Sequence, residues 1–317
     1  MNPLSKSLLA RRDAVLGPNM STFYEEPVHL VKGEGVWVWD HDGKKYLDCY
    51  NNVPHVGHCH PHVVKAMCDQ AATLNTHTRY LHEGIVDYAE RLTATFDDPL
   101  NTALLCCTGS EANDVALRMA EAVTGKTGII VTDHTYHGNT TAVSALSTTN
   151  PSKFGKSGHI RHVPAPDSYR PPSDDPAAYF AEQVKAKIAE LEESGHGFAA
   201  LLIDPFFANE GFPDLPAGFL DATLKAVHDA GGILIADEVQ PGFGRTGSHM
   251  WGRRCRNKNC DHAILPDSLP IFQDLRRQSG VLRYRNGGAG SDRTGRPDAT
   301  GCGRRRLRQG ADAGTGG

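Results

Sequence analysis

The 317-residue chain has no run of apolar residues approaching the roughly 18 to 20 that a membrane-spanning helix requires, so no membrane partner is expected. Its opening stretch, MNPLSKSLLARRDAVLG, lacks the apolar centre of a secretory signal. The paired Arg and the scarcity of acid there allow a transit-peptide reading, set against an amphipathic first helix. Eight Cys fall at no regular spacing, which argues against a disulfide framework and for reduced thiols in a cytoplasmic protein. No internal repeat is present.

Beyond Gly252 two residue types nearly vanish. Arg253 to Gly317 contains no Glu and one Lys, Lys258, alongside 13 Arg and 11 Gly. That stretch carries 14 basic against 6 acidic groups, a net of +8, whereas the preceding 252 residues hold 19 against 31, a net of -12. A swing of this size at one point marks two regions built under different rules. The second region, ending RNGGAGSDRTGRPDATGCGRRRLRQGADAGTGG, has too little apolar surface to offset its chain entropy and is predicted to be disordered.

The remainder is patterned. The opening reads as a helix followed by a hairpin, VWVWD and KYLDC joined by the turn-forming DHDG. From Pro61 onward helical and strand periods alternate. Val63, Val64, Met67, Ala71 and Leu74 recur at helical spacing, and Ala112, Val115, Ala116, Met119 and Val123 mark a helix ending near Gly125. TALLCC, TGIIVTD, FAALLID and GGILIADEV are continuous apolar runs, as expected of strands covered on both faces. The fold class is therefore α/β, around a mostly parallel sheet. We place residues 1–55 in an N-terminal segment, 56–252 in the α/β domain and 253–317 in the tail.

Ligands of such sheets bind beyond the carboxyl ends of the strands, and three segments fall there. In CCTGSEANDVAL, Gly109 and Ser110 open a helix whose free N–H groups suit a phosphate; a plain cap, Ser110 with Asn113 three residues on, is the competing reading. In TDHTYHGNT, Tyr136 stacks on a flat ring and His137 serves proton chemistry, or both pack the loop. In IADEVQPGFGRTG, Asp237 and Glu238 follow an apolar run, and a buried carboxylate there needs a partner. Arg245 is one candidate; a metal or a protonated ring nitrogen is another.

Two further patterns carry less. GFGRTG matches G-x-G-x-x-G literally but follows a charged, Pro-broken segment and precedes no helix, so a dinucleotide site is not expected. HVGHCHPH is rich in zinc-type ligands yet finds no second cluster to complete a four-ligand set; no metal is expected. Cys255, Cys260 and His262 are too loosely spaced to change that.

Together the three segments suit a ligand with a phosphate, a flat ring and a basic ring nitrogen, as in pyridoxal 5'-phosphate. The order TGSEAN, YHG, ADEVQ, GFGRTG resembles the class-III (omega) aminotransferases, a fold-type-I family dependent on that cofactor, over roughly residues 1–252. YLDCYNNVPHVGHCHPHVVKA and LNTHTRYLHEGIVDYAERL resemble the branch of alanine–glyoxylate aminotransferase-like proteins and ethanolamine-phosphate phospho-lyases. The resemblance implies that Gly109 and Ser110 hold the phosphate and that Tyr136 stacks on the pyridine. It further implies that Asp237 keeps the ring nitrogen protonated, Val239 packs on the other face, Gln240 contacts the phenolic oxygen, and Asn51, Asn52 and Val53 line the substrate side. It implies a homodimer with the active site between subunits, a small-molecule amino donor and a 2-oxo acid acceptor. Residues 1–55 then belong to an incomplete small domain and 56–252 to the large domain.

The sequence also departs from the family. Many relatives carry Glu-Pro where this chain has Asp204-Pro205, which bears on substrate orientation. The Schiff-base lysine of the family follows a Pro-Asp pair on a Gly-Lys turn; here Pro266-Asp267 precedes SLPIFQDLRRQSG, and Lys258 lies before the pair in RNKNC. We expect no catalytic lysine, a tail of shifted-frame character with a genuine alternative ending as the competing reading, and loss of turnover in the chain as given. Two other classes were weighed: a non-catalytic cofactor-binding or subunit-interaction protein on the same scaffold, and nucleic-acid binding through the Arg-rich tail. The tail has no interleaved aromatics or recognisable module, so no nucleic-acid partner is expected.

Overall fold

A computed structural model of the chain describes residues 2–17, 20–50, 55–96, 100–148, 157–245 and the backbone of 271–273. They fall into two compact units, the first within 1–49 and 56–84 and the second within 50–55 and 85–277. The first holds helix α1 (Pro3–Leu16), strands β1 (Leu30–Glu34), β2 (Trp37–Asp40) and β3 (Lys45–Leu47), and helix α2 (Pro61–Thr73). The second holds α3 (Glu83–Thr93), β4 (Leu104–Cys106), α4 (Gly109–Thr124), β5 (Gly128–Thr132), α5 (Thr141–Ser144), β6 (Ile160–Val163), α6 (Pro176–Glu193), β7 (Phe198–Ile203), α7 (Asp221–Asp229), β8 (Ile233–Ala236) and β9 (Ile271–Gln273).

In the first unit the expected hairpin is present, β2 antiparallel to β3, and β1 adds a third strand on its other side. Asp40 shapes the turn by accepting N–H bonds from Asp42 and Lys44. The first helix also forms, with the Asn2 side chain capping Ser5 N and Pro3 at the first helical position. It is not an amphipathic packing helix: its one buried residue is Ser5, while Leu4, Leu8, Val15 and Leu16 are exposed.

The second unit is built on a four-stranded, all-parallel sheet in the order β6-β5-β7-β8. Helices cover both faces, so its central strands are buried at every position. Period-two alternation then divides the side chains. Ile130, Leu201 and Ile203 pack with Phe180, Val184 and Leu191 of α6 and Leu224 and Val227 of α7. Ile129, Val131, Leu202, Ile233 and Ile235 pack with Ala116, Leu117 and Ala120 of α4 and with Val143 beyond them. Ala199 and Ala200, though adjacent, both join the α4 side, and the β5–β7 register slips at the same place, as a bulge requires. Truncating a fully buried residue such as Leu201 to Ala is expected to cost about 2–5 kcal/mol.

Two elements depart from expectation. The TALLCC strand is not covered on both faces: β4 runs exposed, half-buried, buried, and Leu104 faces solvent. It stands outside the four-stranded sheet and pairs in parallel with β9, with Leu104 opposite Ile271 and Cys106 opposite Gln273. The Arg/Gly-rich region offers only one local apolar run, AILPDSLPIF, interrupted by two prolines, and no strand is expected there.

Candidate functional site

The strands of the parallel sheet end in register, Thr132 beside Val163 and Ile203 beside Ala236. Seven of the ten buried polar or charged residues of the described chain (Asn113, Thr132, Thr135, His137, Ser147, Asp204 and Asp237) lie at or beyond that edge or on the helix facing it. A buried polar group is costly unless paired, and this concentration makes the edge the candidate site.

Asp237 is its centre. The residue follows the last residue of β8 and is fixed to the sheet by its own N–H, donated to Ile203 O at 2.8 Å. Its Oδ2 accepts from His137 Nδ1 at 2.8 Å and from Asn113 Nδ2 at 2.9 Å, and its Oδ1 from Val239 N at 3.0 Å. Arg245, the ion-pair partner considered from sequence, is exposed and is not among these contacts. Asn113 uses its second amide proton on His137 O at 2.8 Å, so one side chain ties α4 to the loop after β5 and to the end of β8.

The turn into α4 is capped by Thr108, not by Ser110. Thr108 Oγ1 accepts from Glu111 N at 3.1 Å, and the Glu111 carboxylate accepts from Cys107 N at 2.7 Å. This is close to a reciprocal capping box and leaves Ser110 free for another task. Ser110 Oγ accepts from Asn139 N at 3.0 Å, a bond that spares the hydroxyl's own proton. Gly109 and Ser110 are the first two helical residues, whose N–H groups have no partner within a helix.

Gly138 makes the approach of loop and helix possible. A Cβ there would lie 2.7 Å from Ser110 Cα, and φ is +137°, a conformation that side chains resist. Two residues earlier, Tyr136 is half exposed at the loop surface, and its carbonyl accepts from Asn209 Nδ2 at 3.5 Å. Val239 and Gln240 are half-buried in the run of turns after Asp237. The described part of GFGRTG continues those turns and opens no helix, held at Gly242 O by His55 Nε2 at 3.1 Å. Gly109, Ser110, Tyr136, Asp237, Val239 and Gln240 are thus on one edge of one unit. Asn51, Asn52, Val53, Lys258 and Pro266-Asp267 lie outside the described residues.

Asp204, one step beyond β7, does not reach out for a ligand. Its carboxylate turns back to accept from Phe206 N at 2.9 Å and Ala208 N at 3.2 Å. Burial, with the Asp237 and Glu210 carboxylates nearby, pushes it up to about 6 against those bonds. Beyond β5, β6 and β7 opens a cleft of about 470 Å³ lined by Asp133, His134, Asp167, Tyr169, Arg170 and Glu210. Thr132 donates its hydroxyl to Glu210, and Arg170 pairs with Asp167 at 3.3 Å. In the His-rich stretch, His58 is bound to Asp48 at 2.6 Å, an ordinary structural pair.

Sequence reasoning missed Asn113 as an anchor, Thr135, and the pairing of His137 with Asp237. The available signal was the helix pattern: Asn113 sits directly beside the Ala112, Ala116, Ala120 stripe that α4 turns inward.

The aminotransferase class-III family model matches residues 20–264. The chain is 38% identical over 278 residues to an alanine–glyoxylate aminotransferase 2-like protein of Drosophila melanogaster, covering 83% of this chain and 54% of that protein. It is 33% identical over 290 residues to ethanolamine-phosphate phospho-lyase homolog 1 of Caenorhabditis elegans, covering 85% and 60%. A phospholyase from Arthrobacter, solved in complex with phosphoethanolamine, superposes with a TM-score of 0.73 at 46% identity, over 79% of this chain and 60% of that one. The chain spans between half and two thirds of the length of these relatives. Its fold is that of the fold-type-I enzymes. The chain belongs to the class-III aminotransferase family.

Proposed function

We propose that the second unit binds pyridoxal 5'-phosphate and that the whole protein uses it to transfer an amino group from an amine or amino acid to a 2-oxo acid. The observation that carries this is the Asp237 carboxylate, buried and met by N–H donors of Asn113, His137 and Val239 with no Lys or Arg among them, and with acceptor capacity left for one cationic N–H. Asn113, which bonds it, stands four residues into α4 from Gly109, roughly 6 Å along the helix axis. A pyridine with one phosphate arm bridges such a span, so the residues fit the group.

In this reading the first N–H groups of α4 and the Ser110 hydroxyl hold the phosphate, aided by the helix dipole. Tyr136 lies against one face of the ring, Val239 against the other, and Gln240 meets the phenolic oxygen. Asp237 holds the proton on the ring nitrogen. Bound there, the cofactor supplies an electron sink for charge developing on the substrate's α-carbon. The 2-oxo acid and amine chemistry, the homodimer and the substrate-side role of Asn51 to Val53 belong to the same proposal.

Phosphate elimination from an amino-alcohol phosphate is the second reading. It is favoured by the 46% identity to a phospholyase solved with phosphoethanolamine. Titrating the purified chain with pyridoxal phosphate tests the shared part: saturable binding that Asp237→Ala abolishes is expected, and equal binding by the variant overturns it. Incubation with ethanolamine phosphate, and separately with amino donors and a 2-oxo acid, separates the reactions by inorganic phosphate or new amino acid.

A further inference from the structure

Behind Asp237 runs a buried chain of groups that the proposed cofactor contacts leave unused. The His137 side chain has no exposed surface, and both ring nitrogens are engaged. Nδ1 meets Asp237 Oδ2 at 2.8 Å, and Nε2 meets the Thr135 hydroxyl at 2.7 Å. Thr135 is itself fully buried, and its carbonyl is occupied by Ser147 Oγ at 2.9 Å.

A carboxylate only accepts, so Nδ1 carries a proton. Nε2 is then either bare, accepting from the Thr135 hydroxyl, or protonated and donating to it. In the second case the Thr135 proton has no acceptor, since the bond to His137 is the hydroxyl's one contact among the described residues. A buried hydroxyl proton without an acceptor is unfavourable. We infer that Thr135 is a positioning residue whose hydroxyl donates to the bare Nε2 of a neutral His137 and so holds the ring with its proton directed at Asp237.

The consequence rests on the cofactor reading. An imidazolium beside Asp237 would already neutralise the carboxylate and compete with a cationic ring nitrogen. With Nε2 held bare, His137, Asn113 and Val239 orient the carboxylate through neutral N–H groups and leave its charge for the ligand. Thr135, which touches no ligand, thereby holds the ring that orients the residue that does.

The test is nitrogen-15 NMR of the full chain with labelled histidine, the His137 signals identified by their loss in His137→Gln. At neutral pH the unaltered chain is expected to show a protonated Nδ1 and a bare Nε2. Thr135→Ser should keep that pattern. Thr135→Val, similar in shape but without the hydroxyl, should leave Nε2 bare and without its donor, moving its nitrogen-15 signal downfield toward that of an unbonded imidazole nitrogen. A protonated Nε2 in the unaltered chain, or an Nε2 signal in the Val variant unmoved from the parent's, overturns the role of Thr135. Should the Val variant not fold, the unaltered chain and Thr135→Ser still decide it. Failure of the unaltered chain to bind pyridoxal phosphate overturns the cofactor reading instead.

Discussion

Asp204→Asn isolates an electrostatic load that the site places on the fold. Asp204 is charged at little cost in the unfolded chain, with an ordinary value of 3.8, but burial first, and then Asp237 and Glu210, raise it to about 6 in the folded protein. Below 3.8 the carboxyl is neutral in both states and the load is absent. Between 3.8 and about 6 the folded chain holds a proton that the unfolded chain has lost, so stability falls as pH rises. Above about 6 the loss is complete. A difference of about two units corresponds to about 3 kcal/mol at most. Asparagine removes the titration. Its carbonyl can keep the bond from Phe206 N, but its amide cannot accept from Ala208 N, a cost of about 1–3 kcal/mol at every pH. The variant should therefore be the less stable protein near pH 4, and equal or superior near pH 8. Thermal unfolding across that range is the assay. For a unit of this size the gap between the two melting temperatures should move by roughly 6–12 °C in favour of the variant. Parallel pH profiles for the two proteins would show that Asp204 carries no such load.

The other expectations concern geometry. Gly138→Ala should destabilise the second unit by about 2–4 kcal/mol, because the new Cβ meets Ser110 and the positive φ is strained, with loss of pyridoxal-phosphate affinity beyond the stability effect; a melting temperature within a degree of the parent would refute it. Asn113→Ala removes donors from His137 O and Asp237 Oδ2 together, an expected loss of about 2–4 kcal/mol by denaturant unfolding. Asn113→Asp should fare no better, since it sets a second carboxylate against Asp237. Borohydride reduction of the chain with pyridoxal phosphate should leave no stoichiometric adduct at Lys258, whose RNKNC setting is not the family's Gly-Lys turn; mass spectrometry finding one would show that this lysine serves the site.

What the sequence disclosed, and what it withheld, follows from the range of the forces involved. β5, β7 and β8 are legible because a strand covered on both faces must be apolar throughout. The end of α4 is legible because Gly125 adopts the left-handed cap, at φ +68°, that glycine provides most cheaply. The start of the same helix at Gly109 and Ser110 is legible too, but its capping residue is not the Ser110 of the competing reading. Thr108 with Glu111 is the capping-box pattern, and Ser110 with Asn113 is only its shadow two residues on. The strand β9 and the exposure of β4 were beyond reach, since they depend on a pairing across more than 160 positions with no periodic trace.

The site itself was half legible, and the reason lies in the register of β8. The adjacent carboxylates Asp237 and Glu238 leave open which one the protein uses. Along β8, Ile233 and Ile235 face α4, whereas Leu234 packs toward α6 and α7. Continuing the alternation by two residues carries position 237 to the α4 side, where Asn113 waits. The apolar pattern of one strand therefore selects Asp237, once it is known which helix covers which face. That knowledge comes from the right-handed crossovers of a parallel sheet, not from the segment that holds the carboxylate. The partners of Asp237 lie 124 and 100 residues before it. The motifs of this family member are short, but the hydrogen-bond partners of Asp237 are groups that only the fold brings into contact.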